Sequence, residues 1–252
     1  MSGETVAGVD WAGGEWLVVV VDGGEIDCHL ERDLESLWES DTAFDRILID
    51  VPIGLPDDEE TLAKREEVDS LARSVTGRSS SVFPVPSRAA CEAAKNEADY
   101  ETVVERNEAD LDKGLSKQSY NIAAAIGEVD AFLREVDAAK ETVMEAHPEV
   151  CFRGLRGDQL EHSKNSAQGV GERLEALDGH LEEEPGVEFE RLCRALVDED
   201  ADITVDDVVD ALGLCVVASH VEEELRTLPE DPREDSEGIP MRMVYWSDEP
   251  LA

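Results

Sequence analysis

The sequence predicts an α/β fold whose sheet opens with a meander of three strands and whose later strands are separated by long helical stretches. Three observations carry this expectation. Short strand-like runs crowd residues 5–30, and the second and third are joined by "DGG" at 22–24. A continuous apolar run, "RILIDV" at 46–51, is broken by Pro52 in the manner of an interior strand. Residues 58–137 then carry mostly helical patterning before another strand-like run at 141–146.

The elements follow in order. Residues 5–10 and 16–21 ("WLVVVV") read as the first two strands. "DGG" is a hairpin turn, because glycine permits the positive φ such turns need, and residues 25–30 return as the third strand. Asp33 to Glu39 reads as a short helix and 46–51 as the fourth strand. Residues 58–75 form a polar helix ending before Gly77, and the Ser- and Pro-rich segment 77–88 is a loop. Residues 89–111 read as one helix. Residues 117–137 show the clearest helix, with Ile122, Ala125, Ile126, Val129, Phe132, Leu133 and Val136 on one face. "ETVMEA" at 141–146 is a strand, 170–180 and 187–198 are helical, and 205–226 is a last long helix with Thr204 as its cap. Residues 229–238 read as a loop and 241–246 as a late edge strand. The whole is expected to be one domain, 1–252, with a helical insertion at 57–140.

Charge sets the chemistry of the surface. Asp and Glu number 62 against 22 Lys and Arg, a formal charge of −40. Aliphatic periodicity argues against an acidic disordered chain. The composition matches a folded protein of a high-salt cytoplasm, where the Debye length falls to roughly 3 Å at 1 M and self-repulsion is screened. The same screening removes the usual argument that an acidic surface excludes nucleic acid. No run approaches the roughly 18 apolar residues of a membrane helix, and no secretory signal is visible, so a cytoplasmic location without membrane attachment is expected. The five cysteines are widely spaced, with no zinc-type pairing, and read as reduced thiols in or near the core. Oligomeric state is not legible.

Three apolar strands end in an acid: Asp10 in "GVD", Asp50 in "LID" and Glu145 in "VME". An ionised carboxylate buried without a partner costs several kcal/mol, and neighbouring ones repel. A divalent cation resolves that repulsion, and two such ions roughly 4 Å apart clamp the attacking and leaving oxygens of a phosphodiester. In the last helix "DDVVDAL" places Asp207 and Asp210 on one face, with Asp206 out of phase and solvated. Each acid also has a plainer reading. Asp10 and Asp50 could be turn residues, Glu145 could pair with an arginine, and Asp207 stands at capping-box spacing from Thr204.

The phrases "GVDWA" at 8–12, "IDVPIGLP" at 49–56, "GRSSSVFPVPSR" at 77–88, "SKQSYNI" at 116–122, "EAHPEVCF" at 145–152, "SKNSAQGVGERL" at 163–174 and "DVVDALGL" at 207–214 resemble domain-of-unknown-function family 429. That family is regarded as predicted nucleases of ribonuclease H-like fold. The resemblance implies a mixed sheet, three antiparallel strands and then parallel ones, flanked by helices. It also implies a metal-dependent nuclease using Mg2+ or Mn2+. Asp10 then lies at the catalytic position of the first strand and Asp50 at the end of the fourth. Asp207 and Asp210 resemble the helix acids of the Holliday-junction resolvase branch, whereas Glu145 is less standard there.

The remaining candidates are basic or polar. Arg78 and Arg88 flank the Ser/Pro loop, Lys117 and Gln118 open the long helix, and Lys164 lies in "HSKNS"; all could hold phosphate. Their plainer reading is salt bridging. His147, just after Glu145, could bind metal or position water or phosphate. The sequence thus points to a hydrolase acting on nucleic-acid phosphodiester bonds, with Asp10, Asp50, Glu145 and Asp210 catalytic. The rivals are an actin-like phosphotransferase, disfavoured because "DWAGG" has no hydroxyl residue for a phosphate loop, and a non-catalytic binding module.

Overall fold

The computed structural model describes residues 4–77, 82–197, 199, 201–221 and 224–252. The chain opens with β1 (Val6–Ala12), β2 (Glu15–Asp22), β3 (Glu25–Glu31), the short α1 (Leu34–Trp38) and β4 (Arg46–Ile49). The helices α2 (Glu59–Thr76), α3 (Arg88–Lys95), α4 (Tyr100–Leu111), α5 (Lys117–Glu135) and α6 (Ala139–Thr142) lead to β5 (Val143–Glu145). After these come α7 (Pro148–Arg156), α8 (Ala167–Ala176), α9 (Pro185–Ala195) and α10 (Val205–Ala218), then β6 (Leu225–Glu234) and β7 (Pro240–Trp246).

One sheet has the order β3-β2-β1-β4-β5, with β1 to β3 antiparallel and β4 and β5 parallel to β1. This is the mixed sheet of the ribonuclease H-like expectation. Both turns of its meander are two-residue loops built on glycine pairs. Gly13 and Gly14 have φ of 61° and 94°, Gly23 and Gly24 of 56° and 92°, which only glycine adopts without strain. The first pair carries β1 beyond Asp10, where the sequence reading ended it, to Ala12. Trp11 there faces Trp16 across the hairpin, ring centroids 4.7 Å apart and edge to face.

By internal contacts the chain divides into two compact units. The first comprises Met1–Asp50, Thr142–Arg226 and Val244–Leu251, and so holds the five-stranded sheet with α7 to α10. Its core is the seating of α10 on the sheet. Residues Val208–Ala218 of that helix are buried, and Gly8 lets its backbone approach β1. A Cβ on Gly8 would stand 2.2 Å from the Ala211 carbonyl oxygen and 2.3 Å from the Cys215 amide nitrogen. Gly213 receives the Phe152 ring of α7 in the same way.

The second unit comprises Val51–Glu141 and Thr227–Met243 and contains the helical segment expected at 57–140. Asp58 and Thr61 form a reciprocal capping box on α2, and Gly77 ends that helix with φ 64°. A cavity of about 720 Å³ opens here, lined by residues that include Arg65, Asp69, Asn107 and Ser119. Its polar lining is spent on packing: Arg65 pairs with Asp69 at 2.9 Å, Asn107 accepts from the Ser87 amide, and Ser119 donates to the Pro84 carbonyl.

Besides the longer β1, several element boundaries differ from the sequence reading. The helix expected at 89–111 is two, because Asn96 ends α3, Glu97 takes φ 59°, and Asp99 caps α4 by accepting from the Thr102 amide. Residues 148–156, given no element from sequence, form α7, with His147 as cap and Pro148 in its first turn. The last helix ends at Ala218 instead of 226, and the segment expected as a loop at 229–238 largely belongs to β6. β6 pairs with β7 as a separate two-stranded sheet. All five cysteines are free thiols, Cys193 half-buried and the others buried. No helix among the described residues is long and apolar enough to cross a membrane.

Candidate functional site

The site is set by sheet register. Val9, Ile49 and Glu145 lie side by side across β1, β4 and β5. Asp10 is one residue beyond that row on β1, and Asp50 one beyond it on β4, where its amide donates to the Val9 carbonyl at 2.9 Å. Side chains alternate across a strand, so Asp10 turns to the face of Gly8, the face on which α10 sits. Glu145 shares the parity of Val9 and turns the other way.

On the α10 face the acids gather. Asp210 is buried, and so is Asp10, whose Oδ1 accepts from the Trp11 amide at 2.9 Å. Burial, followed by the charges of Asp50, Asp210 and Asp207, holds the Asp10 carboxyl well above the ordinary aspartate range. Burial also raises Asp210, to about 6, against the opposing pull of Lys164. Asp50 keeps part of its surface open, yet burial is still the largest influence raising its pKa, with Glu149 adding and His147 and Lys164 opposing.

Lys164 supplies the counter-charge. Its ammonium donates to Asp210 Oδ2 at 2.7 Å and lies 3.2 Å from Asp206 Oδ2. Burial pulls its pKa down, but Asp210, Asp50 and Asp10 outweigh that, so it stands above an ordinary lysine and stays charged. The loop carrying it is pinned. Ser166 caps α8 through the Gly169 amide, and its hydroxyl and amide both donate to the Ser163 carbonyl. Gly169 makes room for that carbonyl, which would stand 1.9 Å from a Cβ there.

A second layer was not read from the sequence. Glu149, in the first turn of α7, pairs with buried Arg173 of α8, and Arg173 in turn favours the charged form of Asp210. Asp206, expected to be solvated, bonds the Thr204 hydroxyl and Lys164 instead. Its i, i+4 spacing to Asp210 was the available signal.

The other candidates separate by location. Asp207 accepts from the Thr204 amide at 2.7 Å as half of a capping box, so its first role is to start α10. His147 Nδ1 accepts from the Glu149 amide, leaving Nε2 as the ring's donor position when neutral. Glu145 is buried, and its register with Val9 gives it the parity opposite to Asp10, so the pleat does not bring it to the α10 face with the other acids. Arg88, expected at phosphate, belongs to the second unit. Its guanidinium there is committed to Asp57, Asp130 and Asp235 and to the Ser236 hydroxyl. Lys117 and Gln118 are exposed in the first turn of α5, also in the second unit. Arg78 lies outside the described residues.

The donor chemistry suits a hard divalent cation: carboxylate oxygens on β1, after β4 and on α10, with Asp210 Oδ1 buried and lacking a hydrogen-bond partner among the described residues. As the side chains stand, no three His, Cys, Asp or Glu among the described residues converge as a ligand set. The ammonium of Lys164 acts as the cation there.

A family model described as "Protein of unknown function (DUF429)" matches residues 8–234. The chain belongs to the DUF429 family. The match runs from Gly8, under α10, to the last residue of β6, so Asp10, Asp50, Lys164 and Asp210 all fall within the DUF429 region. No curated protein and no solved structure matches the chain.

Proposed function

We propose that this DUF429 chain is a metal-dependent nuclease that hydrolyses phosphodiester bonds of nucleic acid. The observation that supports it most is the meeting of Asp10, Asp50 and Asp210. They come from three segments as much as 200 residues apart, yet their charges act on one another, and Oδ1 of Asp210 has no hydrogen-bond partner among the described residues. Burial of like charges is unfavourable for stability alone, so the cluster is better explained by a cationic ligand. Asp10, Asp50 and Asp210 would hold Mg2+ or Mn2+, which supplies Lewis-acid activation of water and charge stabilisation at phosphorus.

The chain's own residues do the rest. Lys164 presents a fixed positive charge at the edge of the cluster, suited to a phosphate oxygen. His147, oriented by the Glu149 amide, offers Nε2 beside Asp50 for proton transfer with solvent. The Gly13–Gly14 turn that follows β1 is a tight hairpin, which favours this reading over a phosphate-loop kinase.

The test is a cleavage screen in multimolar KCl on single-stranded, duplex and branched DNA and RNA, with Mg2+, with Mn2+ and with chelator. Asp10→Asn and Asp50→Asn should each abolish cleavage without changing the circular dichroism spectrum. Full turnover in both variants would sink the reading.

A further inference from the structure

Lys164 stands where a second cation would stand. Its ammonium bonds the Oδ2 atom of Asp210, while Oδ1 of the same buried carboxylate has no hydrogen-bond partner among the described residues. The two oxygens of Asp210 thus face different fates, one occupied by a cation of the protein's own and one buried without a hydrogen-bond partner among the described residues. The lysine is a built feature, because Ser163, Ser166 and Gly169 fix its loop and Asp206 holds the ammonium from a second side. A two-ion centre places its ions roughly 4 Å apart on shared carboxylates. Here one side of the only α10 acid that is both buried and coupled to Asp10 and Asp50 is already taken.

We propose that Lys164 is the resident cation of the acid centre, so that the centre takes up one divalent ion and not two. This rests on the proposed metal dependence and refines it. Asp10, Asp50 and Oδ1 of Asp210 would hold that single ion, although as the side chains stand they do not converge as a ligand set. Lys164 keeps Asp206 and Asp210 Oδ2 and supplies the second positive charge. Among the described residues only those two carboxylates accept from the ammonium, which leaves its third N–H for a phosphate oxygen. The Lys164 side chain is 38% exposed, so substrate can reach it. A lysine in place of a second ion gives a centre whose second charge is always present and needs no metal concentration to fill it.

Mn2+ titration followed by electron paramagnetic resonance tests this. A protein of charge −40 also binds ions on its surface, so counts are taken in 2 M KCl as the difference from the Asp10→Asn, Asp50→Asn double variant. Wild type is expected to bind one Mn2+ with an uncoupled spectrum. Lys164→Met, which keeps the apolar stem, should bind two with a spin-coupled spectrum, and Lys164→Arg should stay at one. A spin-coupled pair in wild type, or a single ion in Lys164→Met, overturns the proposal. If Lys164→Met does not fold, the wild-type spectrum alone decides. Wild type with one ion but no cleavage of any nucleic acid supports the resident cation and defeats the nuclease reading. Wild type that cleaves and binds two ions does the reverse. No specific ion in wild type defeats both.

Discussion

Asp10 and Glu145 both close apolar strands of one sheet, yet they sit on opposite faces of it, because Glu145 is in register with Val9 and not with Asp10. The two substitutions should therefore separate. Asp10→Asn is expected to lower cleavage by at least ~10²-fold, the scale of losing one group that stabilises transition-state charge. Glu145→Gln should leave kcat near wild type and lower the melting temperature, since it alters a buried carboxylate away from the centre. Loss of cleavage in a well-folded Glu145→Gln would show that the face assignment is wrong.

Asp210 gives a pH dependence. Burial is the first cause that raises its folded pKa from the ordinary 3.8 to about 6. Between these values the folded state binds more protons than the unfolded one, so this group's contribution to stability is full below the unfolded value and falls as pH rises through about 6. The difference in melting temperature between metal-free wild type and Asp210→Asn should drift against wild type across that window. Divalent-ion affinity should rise over the same range, because the ion binds the ionised carboxylate. Calorimetry at pH 4, 5, 6 and 7 measures both.

Gly8 is the point where β1 and α10 touch. In Gly8→Ala the new methyl meets backbone atoms, which cannot swing aside, so the loss of stability should be at or beyond the upper end of the usual ~1–3 kcal/mol for overpacking. Urea denaturation would read it. A variant as stable as wild type would mean that α10 does not lie on β1 as described.

Arg88 should behave as a structural cation. Replacing it with Met removes the cation that Asp57, Asp130 and Asp235 share, and removing one partner of a buried ion network costs about 3–5 kcal/mol. A phosphate-binding role predicts a different result, a raised KM with an unchanged melting temperature. Thermal melts and kinetics on one preparation distinguish the two.

The charge of −40 predicts salt-dependent folding. The melting temperature should climb steeply from low to multimolar KCl as self-repulsion is screened. An unchanged value across that range would contradict adaptation to high salt.

The meander, β4 and the long α5 were legible because apolar periodicity and glycine pairs are local signals. α7 is hidden behind its "HP" start, because a proline breaks most apolar patterns yet is favoured in the first turn of a helix, where Pro148 stands. The break between α3 and α4 depends on Glu97 taking a left-handed conformation inside an otherwise helical pattern. In the site, Asp10, Asp50 and Asp210 could be read because each interrupts an apolar run. What no local pattern carries is parity: whether Glu145 faces Asp10 depends on the stagger between strands far apart in sequence. The partners of Lys164 and Arg88 depend likewise on tertiary folding, which sets one among the acids of α10 and the other in an ion network of the second unit.

The seating of α10 over Gly8 also has a consequence for the order in which the molecule is made. During synthesis Asp10 and Asp50 precede Asp210 and the helix that carries it, which follow Asp50 by about 160 residues. Until then neither Lys164 nor a cation from solution has its α10 partner. The cluster is therefore completed only by the last third of the chain, and a truncated translation product ending before α10 lacks Asp210 and the buried helix that carries it.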